Sequence, residues 1–507
     1  MNPSSDDARS TGMRWWNGLA RRVRRSWNQW RGRDLPPHAA EAALRWLLDQ
    51  ADDHGLPRVP GDPPRSVETT GRCLPTLLAF GQRRLALSWG EWLIEQSGRF
   101  VSSNDPDALN EEVDEQELAG LLCGLLAAEK LLPRAKRPAR DVCRALLTRL
   151  DHPDANGPLF LPLLREAARR WKEARWKIRL KIAEDEFSKM GGWRKWLATP
   201  SGYAGMIAAF LDLGRPDAAK QGADLLYNMQ KMNGAVHSPS GPHNDTTELA
   251  HLAACWYRLG MRNKADPAMR WLRRHQNQSG GFFYKWPLNW SALPLESIWT
   301  AKYFLDACLL QTQAVFESAD DDLPDIIGEN DGRMQAVFDW LEEIARPGLK
   351  VADVGCGSGR FLKRLKERFP QVKLHGIDAS AAALEKLPKG IKTSRGDLLN
   401  LPREDGAFDA AFSVEALEHS LVAEAAVDEL CRVVSPGGRI LIIDKHVAKQ
   451  SLSEHHPWER WFAPDEVREW LLKHCEQVEV AEIAHGSHAK PTGLFLCWTG
   501  TRSRPSD

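Results

Sequence analysis

Glu415, Glu418 and His419 fall at positions i, i+3 and i+4. On an α-helix that spacing places two carboxylates and an imidazole on one face. Such a mixed oxygen and nitrogen set suits Mg²⁺, Mn²⁺ or Zn²⁺, and a cation there would lower the pKa of a bound hydroxyl. Without a metal, His419 is a candidate base and Leu417 packs beside it. A second chemical signal lies upstream, where residues 353–359 read Asp-Val-Gly-Cys-Gly-Ser-Gly. Alternate glycines after a short apolar run let a backbone turn tightly and approach a ligand closely. Asp378 ends the next apolar run, where a carboxylate can accept hydrogen bonds from both hydroxyls of a ribose. Asp397, in Gly396-Asp397-Leu398, is placed to accept from an adenine amino group.

These residues need a sheet to hold them. Leu349 to Val354, Val372 to Ile377, a short run before Gly396 and Phe408 to Phe412 read as four strands. Arg439 to Ile443 follows the turn Pro436-Gly437-Gly438 as a fifth. Gln477 to Ile483 and Leu494 to Trp498 close the series as an antiparallel hairpin around the loop His485 to Gly493. Helices are expected after the glycine loop (Phe361, Leu362, Leu365) and over Met334 to Ala345.

The series Asp353 to Gly359, Asp378, Asp397 and the fourth strand resembles the class I S-adenosylmethionine (SAM) dependent methyltransferases. Its loop is G-x-G-x-G, whereas nicotinamide-binding domains carry G-x-G-x-x-G. The resemblance implies a Rossmann-like α/β methyltransferase domain with a seven-stranded sheet over residues 333–507. It also implies SAM contacts from Asp353, Gly355, Gly357, Gly359, Asp378, Ala379, Asp397, Leu398 and Ser413. Lys445 and His446, after the fifth strand, would line the acceptor pocket beside Glu415 and His419 as catalytic candidates. The string Glu415 to His419 looks like the metal motif of small-RNA 3′-terminal 2′-O-methyltransferases, and is similar to ubiquinone-pathway O-methyltransferases. The RNA resemblance implies Glu415, Glu418, His419 and His456 (His455 as alternate) as ligands to Mg²⁺ or another divalent cation.

Ahead of this domain the chain is helical in pattern. Residues 1–35 carry eight arginines against three aspartates, with Trp16, Leu19, Val23, Trp27 and Trp30 on one helical face. A basic helix with a tryptophan stripe suits an anionic membrane surface, so residues 13–31 are expected to lie on one. Residues 36–316 repeat one grammar: helix, glycine turn, helix, glutamine, glycine loop. Gly81 precedes Gln96, Gly214 precedes Gln230 and Gly260 precedes Gln276 at nearly constant spacing. The pattern resembles the (α/α) toroids of terpene cyclases and prenyltransferase subunits. An all-α helical-hairpin toroid would place Asp245, Glu248, Glu296, Trp299, Tyr203 and Trp286 toward its cavity. Residues 317–332 read as an acidic linker.

The 507-residue chain balances 68 basic against 68 acidic residues, which gives no overall pull toward polyanions. Its nine cysteines contain no C-x-x-C pair, which argues against a zinc ribbon or a disulfide scaffold and predicts a reducing cytosol. No secretory leader and no membrane span are expected. The combined expectation is a cytoplasmic O-methyltransferase, peripheral on the inner membrane face, that methylates a hydroxyl of a cell-envelope glycan or lipid-linked saccharide. A phenolic or isoprenoid acceptor is one alternative. RNA is the other, with the basic segments 1–35 and 165–181 as its phosphate footprint.

Overall fold

The computed structural model describes residues 38–58, 60, 65–100, 114–149, 160–172, 176–177, 180–181, 202–227, 229–236, 244–286, 295–318, 326–450, 458–486 and 490–504. His455, His456 and the segment 13–31 lie outside the described residues. The first helices are α1 (Ala39–Asp49), α2 (Val67–Ala79), α3 (Arg83–Phe100), α4 (Glu115–Ala128), α5 (Lys136–Arg149) and α6 (Leu161–Trp171). They are followed by α7 (Tyr203–Asp212), α8 (Pro216–Tyr227), α9 (Thr246–Arg258), α10 (Arg262–Arg274) and α11 (Ile298–Ser318).

The expected hairpins form. The pairs α2–α3, α7–α8 and α9–α10 each turn at one glycine, Gly81, Gly214 and Gly260, with φ of 73°, 66° and 72°. In each, the residue after the glycine donates its N–H back five positions: Gln82 to Leu77, Arg215 to Phe210 and Met261 to Trp256, at 2.8 to 2.9 Å. The left-handed residue therefore closes the helix end in a Schellman turn, which a Cβ would disfavour. Two of the three repeated glutamines, Gln230 and Gln276, also share one task. Gln230 Nε2 donates to the carbonyls of Gly234 (3.1 Å) and Lys264 (2.9 Å), and Gln276 Nε2 to those of Gly280 (2.8 Å) and Ala39 (2.9 Å). Each amide thus ties its own glycine loop to another helix, α10 or α1.

Two compact units emerge, and neither is one continuous stretch. One comprises residues 1–50, 59–62 and 188–307; the other comprises 51–58, 63–187 and 308–507. In the first unit the three carboxylates expected at a toroid cavity are occupied by protein donors. Asp245 caps α9 through the Glu248 N–H at 3.0 Å. Glu248 accepts the Ala204 N–H at the start of α7 at 2.5 Å. Glu296 accepts from Trp46 Nε1 at 2.8 Å, Asn277 Nδ2 at 2.6 Å and the Ser279 hydroxyl.

The second unit contains a seven-stranded sheet: β1 (Lys350–Val354), β2 (Lys373–Asp378), β3 (Lys392–Arg395), β4 (Phe408–Val414), β5 (Val434–Lys445), β6 (Cys475–Ile483) and β7 (Phe495–Arg502). The order is β3-β2-β1-β4-β5-β7-β6, with β7 antiparallel to both its neighbours and the other pairs parallel. Val351, Phe412, Leu441 and Ile443 are among the buried residues of its core, as parallel strands covered on both faces require. Helices α12 (Gly332–Glu342), α13 (Arg360–Arg368), α14 (Ala381–Glu385), α15 (Ala423–Val433) and α16 (Pro464–Leu472) belong to the same unit, as do α2 to α6. Asp331 caps α12 and Ser380 caps α14, each accepting a backbone N–H. All seven strands expected from the sequence are present.

Candidate active site

The parallel strands end at a common edge, and a cavity of about 420 Å³ opens there. β1 delivers Asp353 and the glycine loop, β2 delivers Asp378 and Ala379, and the turn after β3 delivers Asp397 and Leu398. The segment after β4 contributes Glu415, Ala416 and the run Glu418 to Leu421, and β5 contributes Lys445. This is the crevice outside the carboxyl ends of the strands, where open α/β sheets take ligands. Gly355 sits at φ 80°, where an added Cβ would come within 2.3 Å of the Ala416 Cβ. The glycine there keeps the floor of the crevice thin.

One end of the cavity is lined by aspartates. Asp378 accepts the Gly357 N–H through Oδ2 and the Ser380 N–H through Oδ1, both at 2.8 Å. Asp397 accepts the Leu399 N–H at 2.9 Å. Asp353 is 2% exposed and its Oδ2 has no partner. Burial, then the charge of Asp378, pushes Asp353 well above the usual carboxylate range, with Arg360 opposing. Burial also raises Asp397, against the Leu399 N–H that lowers it. The cluster keeps a surplus of acid and one unpaired oxygen, Asp353 Oδ2, which a cation or a hydrogen-bond donor would relieve. SAM carries both: a sulfonium, an ammonium, two ribose hydroxyls and an adenine amino group. The residues present therefore fit SAM.

The other end holds Glu418, His419 and Lys445. Glu418 is 1% exposed, and Lys445 Nζ lies 2.9 Å from its Oε1 while its Oε2 has no partner. Burial pushes Glu418 up to about 7, in spite of Lys445. His419 Nε2 stands 3.4 Å from the same Oε1, and its ring meets Phe316 edge-on with centroids 5.2 Å apart. Beneath them the fully buried Asp444 accepts the N–H groups of Glu418 (3.1 Å) and Lys445 (2.8 Å). Burial and the neighbouring Glu418 hold Asp444 well above its ordinary range. Lys445 also stands 5.3 Å over the Trp461 ring.

The helical face expected for Glu415, Glu418 and His419 does not form. Only Leu417–His419 make a single 3₁₀ turn, and Glu415 precedes it with φ 53°. That left-handed residue turns its carboxylate to Arg333 Nη1 at 2.7 Å and to Arg360. Two guanidiniums occupy the oxygen that the metal reading assigned to a cation. Among the described residues no group of three His, Cys, Asp or Glu is placed to hold a metal ion. Among the described residues, Glu415, Glu418 and His419 do not converge as a ligand set for a divalent cation.

Other expected residues hold structural positions outside the cavity lining. Ser413 donates to the Val354 carbonyl at 2.8 Å, joining β4 to β1. Gly359 is the N-cap of α13. His446 Nδ1 lies 3.3 Å from the Gly493 carbonyl.

The end of α11 was missed. Thr312 and Phe316 line the cavity, and Glu317 accepts the Ala381 N–H at 3.2 Å and pairs with Arg395 at 2.8 Å. Glu317 thereby anchors the start of α14, shortly after Asp378. In the sequence it merges with the acidic run that follows. Its only signal is the return of apolar residues at Ala314, Val315 and Phe316 after Gln311-Thr312-Gln313, which carries the helix past the expected boundary.

The sheet order and the aspartate-lined crevice agree with what the family comparison finds. Residues 352–442 match the family model of a methyltransferase domain. A probable tRNA methyltransferase 9B of Bos taurus is 33% identical over 135 residues, 24% of this chain and 28% of that protein. The chloroplastic tocopherol O-methyltransferase of Arabidopsis thaliana is 35% identical over 129 residues, 24% of this chain and 37% of that one. The chain thus spans about a third of the length of these relatives. Among solved structures, a SAM-dependent methyltransferase of Thermotoga maritima, a possible histamine N-methyltransferase, matches with 23% identity and a TM-score of 0.28. That match covers 34% of this chain and 88% of that one. The domain is of the class I SAM-dependent type. Among the described residues no helix is long and apolar enough to cross a membrane.

Proposed function

We propose that the protein is a SAM-dependent O-methyltransferase in which Glu418 takes the proton from the acceptor hydroxyl. One observation carries this reading. Among the described residues, the only carboxylate oxygens buried without a partner are Asp353 Oδ2 and Glu418 Oε2, and both residues line the same cavity. SAM supplies a methyl group already activated by its sulfonium. Asp378 and Asp397 hold the nucleoside through its hydroxyls and amino group, and Asp353 faces its positive charge. An acceptor hydroxyl is a weak nucleophile until it loses a proton, and a base with a pKa near 7 suits that transfer. Lys445 holds Glu418 Oε1, which leaves Oε2 to receive the proton. His419 and Phe316 orient the acceptor.

The apolar walls Phe316 and Leu421 beside His419 suit a flat or apolar group next to the hydroxyl, and the likeness to tocopherol O-methyltransferase points the same way. Both support a phenolic or isoprenoid acceptor over the cell-envelope glycan or lipid-linked saccharide. The toroid reading of residues 36–316 rests on the repeated glutamine ties, the last of which returns to α1. A membrane-facing role for residues 13–31 rests on their sequence pattern alone. The test is methyl-labelled SAM with purified protein and fractionated lysate. Label in a small-molecule extract supports the phenolic or isoprenoid reading. Label in glycolipid restores the saccharide, label in RNA replaces both, and label in protein removes the O-methyl assignment.

A further inference from the structure

We propose that the groove along α5 binds the phosphodiester backbone of a single nucleic-acid strand. The recess has a volume of about 410 Å³ and is lined by Arg134, Lys136, Arg137, Arg140 and Arg144, with Asp141 as its one acid. It shares no lining residue with the methyl-transfer cavity.

The cations are not neutralised evenly. Arg134 pairs with Glu91, and Arg144 lies 3.4 Å from Asp141. Lys136 and Arg137 are exposed and meet no carboxylate among the described residues. Two adjacent cations left open at the mouth of a basic recess make an anion site whose affinity comes from released counterions. Arg140 lies 6.0 Å from the centre of the Trp171 ring, which links the groove to α6. There Arg165, Arg169 and Lys172 are also exposed, with Arg169 paired to Glu166. A strand with one charge per nucleotide matches a charged groove better than a single phosphate does.

A bilayer is the competing polyanion, and the surface lacks what a bilayer needs. Peripheral helices insert large apolar side chains beside their basic residues. Among the described residues, none of the exposed large apolar side chains lies on α5 or α6. The recess is also concave, whereas a headgroup layer favours a projecting face.

The test uses the full chain and a fluorescently labelled 20-mer oligouridylate, followed by anisotropy across a NaCl series. Wild type should bind, with affinity falling steeply as salt rises. Lys136→Ala/Arg137→Ala should weaken binding on the order of tenfold at about 0.1 M salt and reduce the salt slope by about 1.4. Both side chains are exposed and stand away from the catalytic cavity, so SAM affinity by calorimetry should be unchanged, which separates lost binding from lost folding. Unchanged oligonucleotide affinity in the double variant overturns the proposal. So does preferential, Lys136- and Arg137-dependent binding to phosphatidylserine vesicles. Neither result bears on methyl transfer to other acceptors.

Discussion

Both units of the protein shelter carboxylates from solvent, and they treat them in opposite ways. In the helical unit Asp245, Glu248 and Glu296 receive protein donors. In the methyltransferase unit Asp353 and Glu418 each keep one buried oxygen without a partner. Desolvation acts in both places, since burial raises Glu248 to about 7 just as it raises Glu418. A raised pKa therefore does not separate a working carboxylate from a structural one. The supply of donors does, because a buried acceptor left unpaired by its own protein is a cost that a bound ligand can relieve.

The largest effect that would sharpen this contrast is kinetic. Glu418→Gln should lower kcat by about 10²- to 10⁴-fold with SAM affinity retained. In the wild type, kcat/KM should rise with pH through about 7 as Glu418 ionises, and the variant should lose that limb. A full-rate variant would break the assignment of the base.

Asp378→Ala comes next. It removes a charged acceptor from the nucleoside side and from the Gly357 N–H, so SAM affinity should fall about 10- to 100-fold by calorimetry. Glu415→Ala should act on stability. It leaves Arg333 and Arg360 without their shared partner in a largely buried site, at about 3 kcal/mol in denaturant unfolding. Chelator should leave wild-type turnover unchanged; loss of turnover restored by Mg²⁺ would reinstate the metal reading.

The helical unit should respond more quietly. Glu296→Ala should cost about 1 to 3 kcal/mol of stability without changing kcat, because its three donors lose their acceptor. Glu248 should show its effect in the pH dependence of stability. Its folded pKa of about 7 exceeds the ordinary value, so the native state is favoured while the group is protonated. That advantage declines as pH rises from about 4.5 to 7 and is gone above it; Glu248→Gln should flatten the profile.

The glycine loop, the strand-end aspartates and all seven strands were legible in the sequence. Each rests on local rules: alternation of apolar residues, glycine where the chain must turn, an acid at a strand end. The helical hairpins were legible for the same reason, as Gly81, Gly214 and Gly260 terminate helices whatever packs around them. The cluster at Glu415 was misread because i, i+3, i+4 spacing brings side chains together only if the segment is helical. A left-handed residue at Glu415 breaks that condition, and the two arginines that hold it lie 82 and 55 positions away in sequence.

The chain's own pattern thus settles where SAM-type chemistry belongs and which backbone segments carry it, because those features depend on neighbours within a few residues. Tertiary contacts alone decide which acids remain unsatisfied, that Phe316 and Glu317 reach the site from a helix beginning at Ile298, and that Glu415 faces arginine instead of metal. Hydrogen-bond satisfaction is a property of the assembled interior. It compares donors with acceptors across the whole fold, and no spacing along the chain contains that comparison.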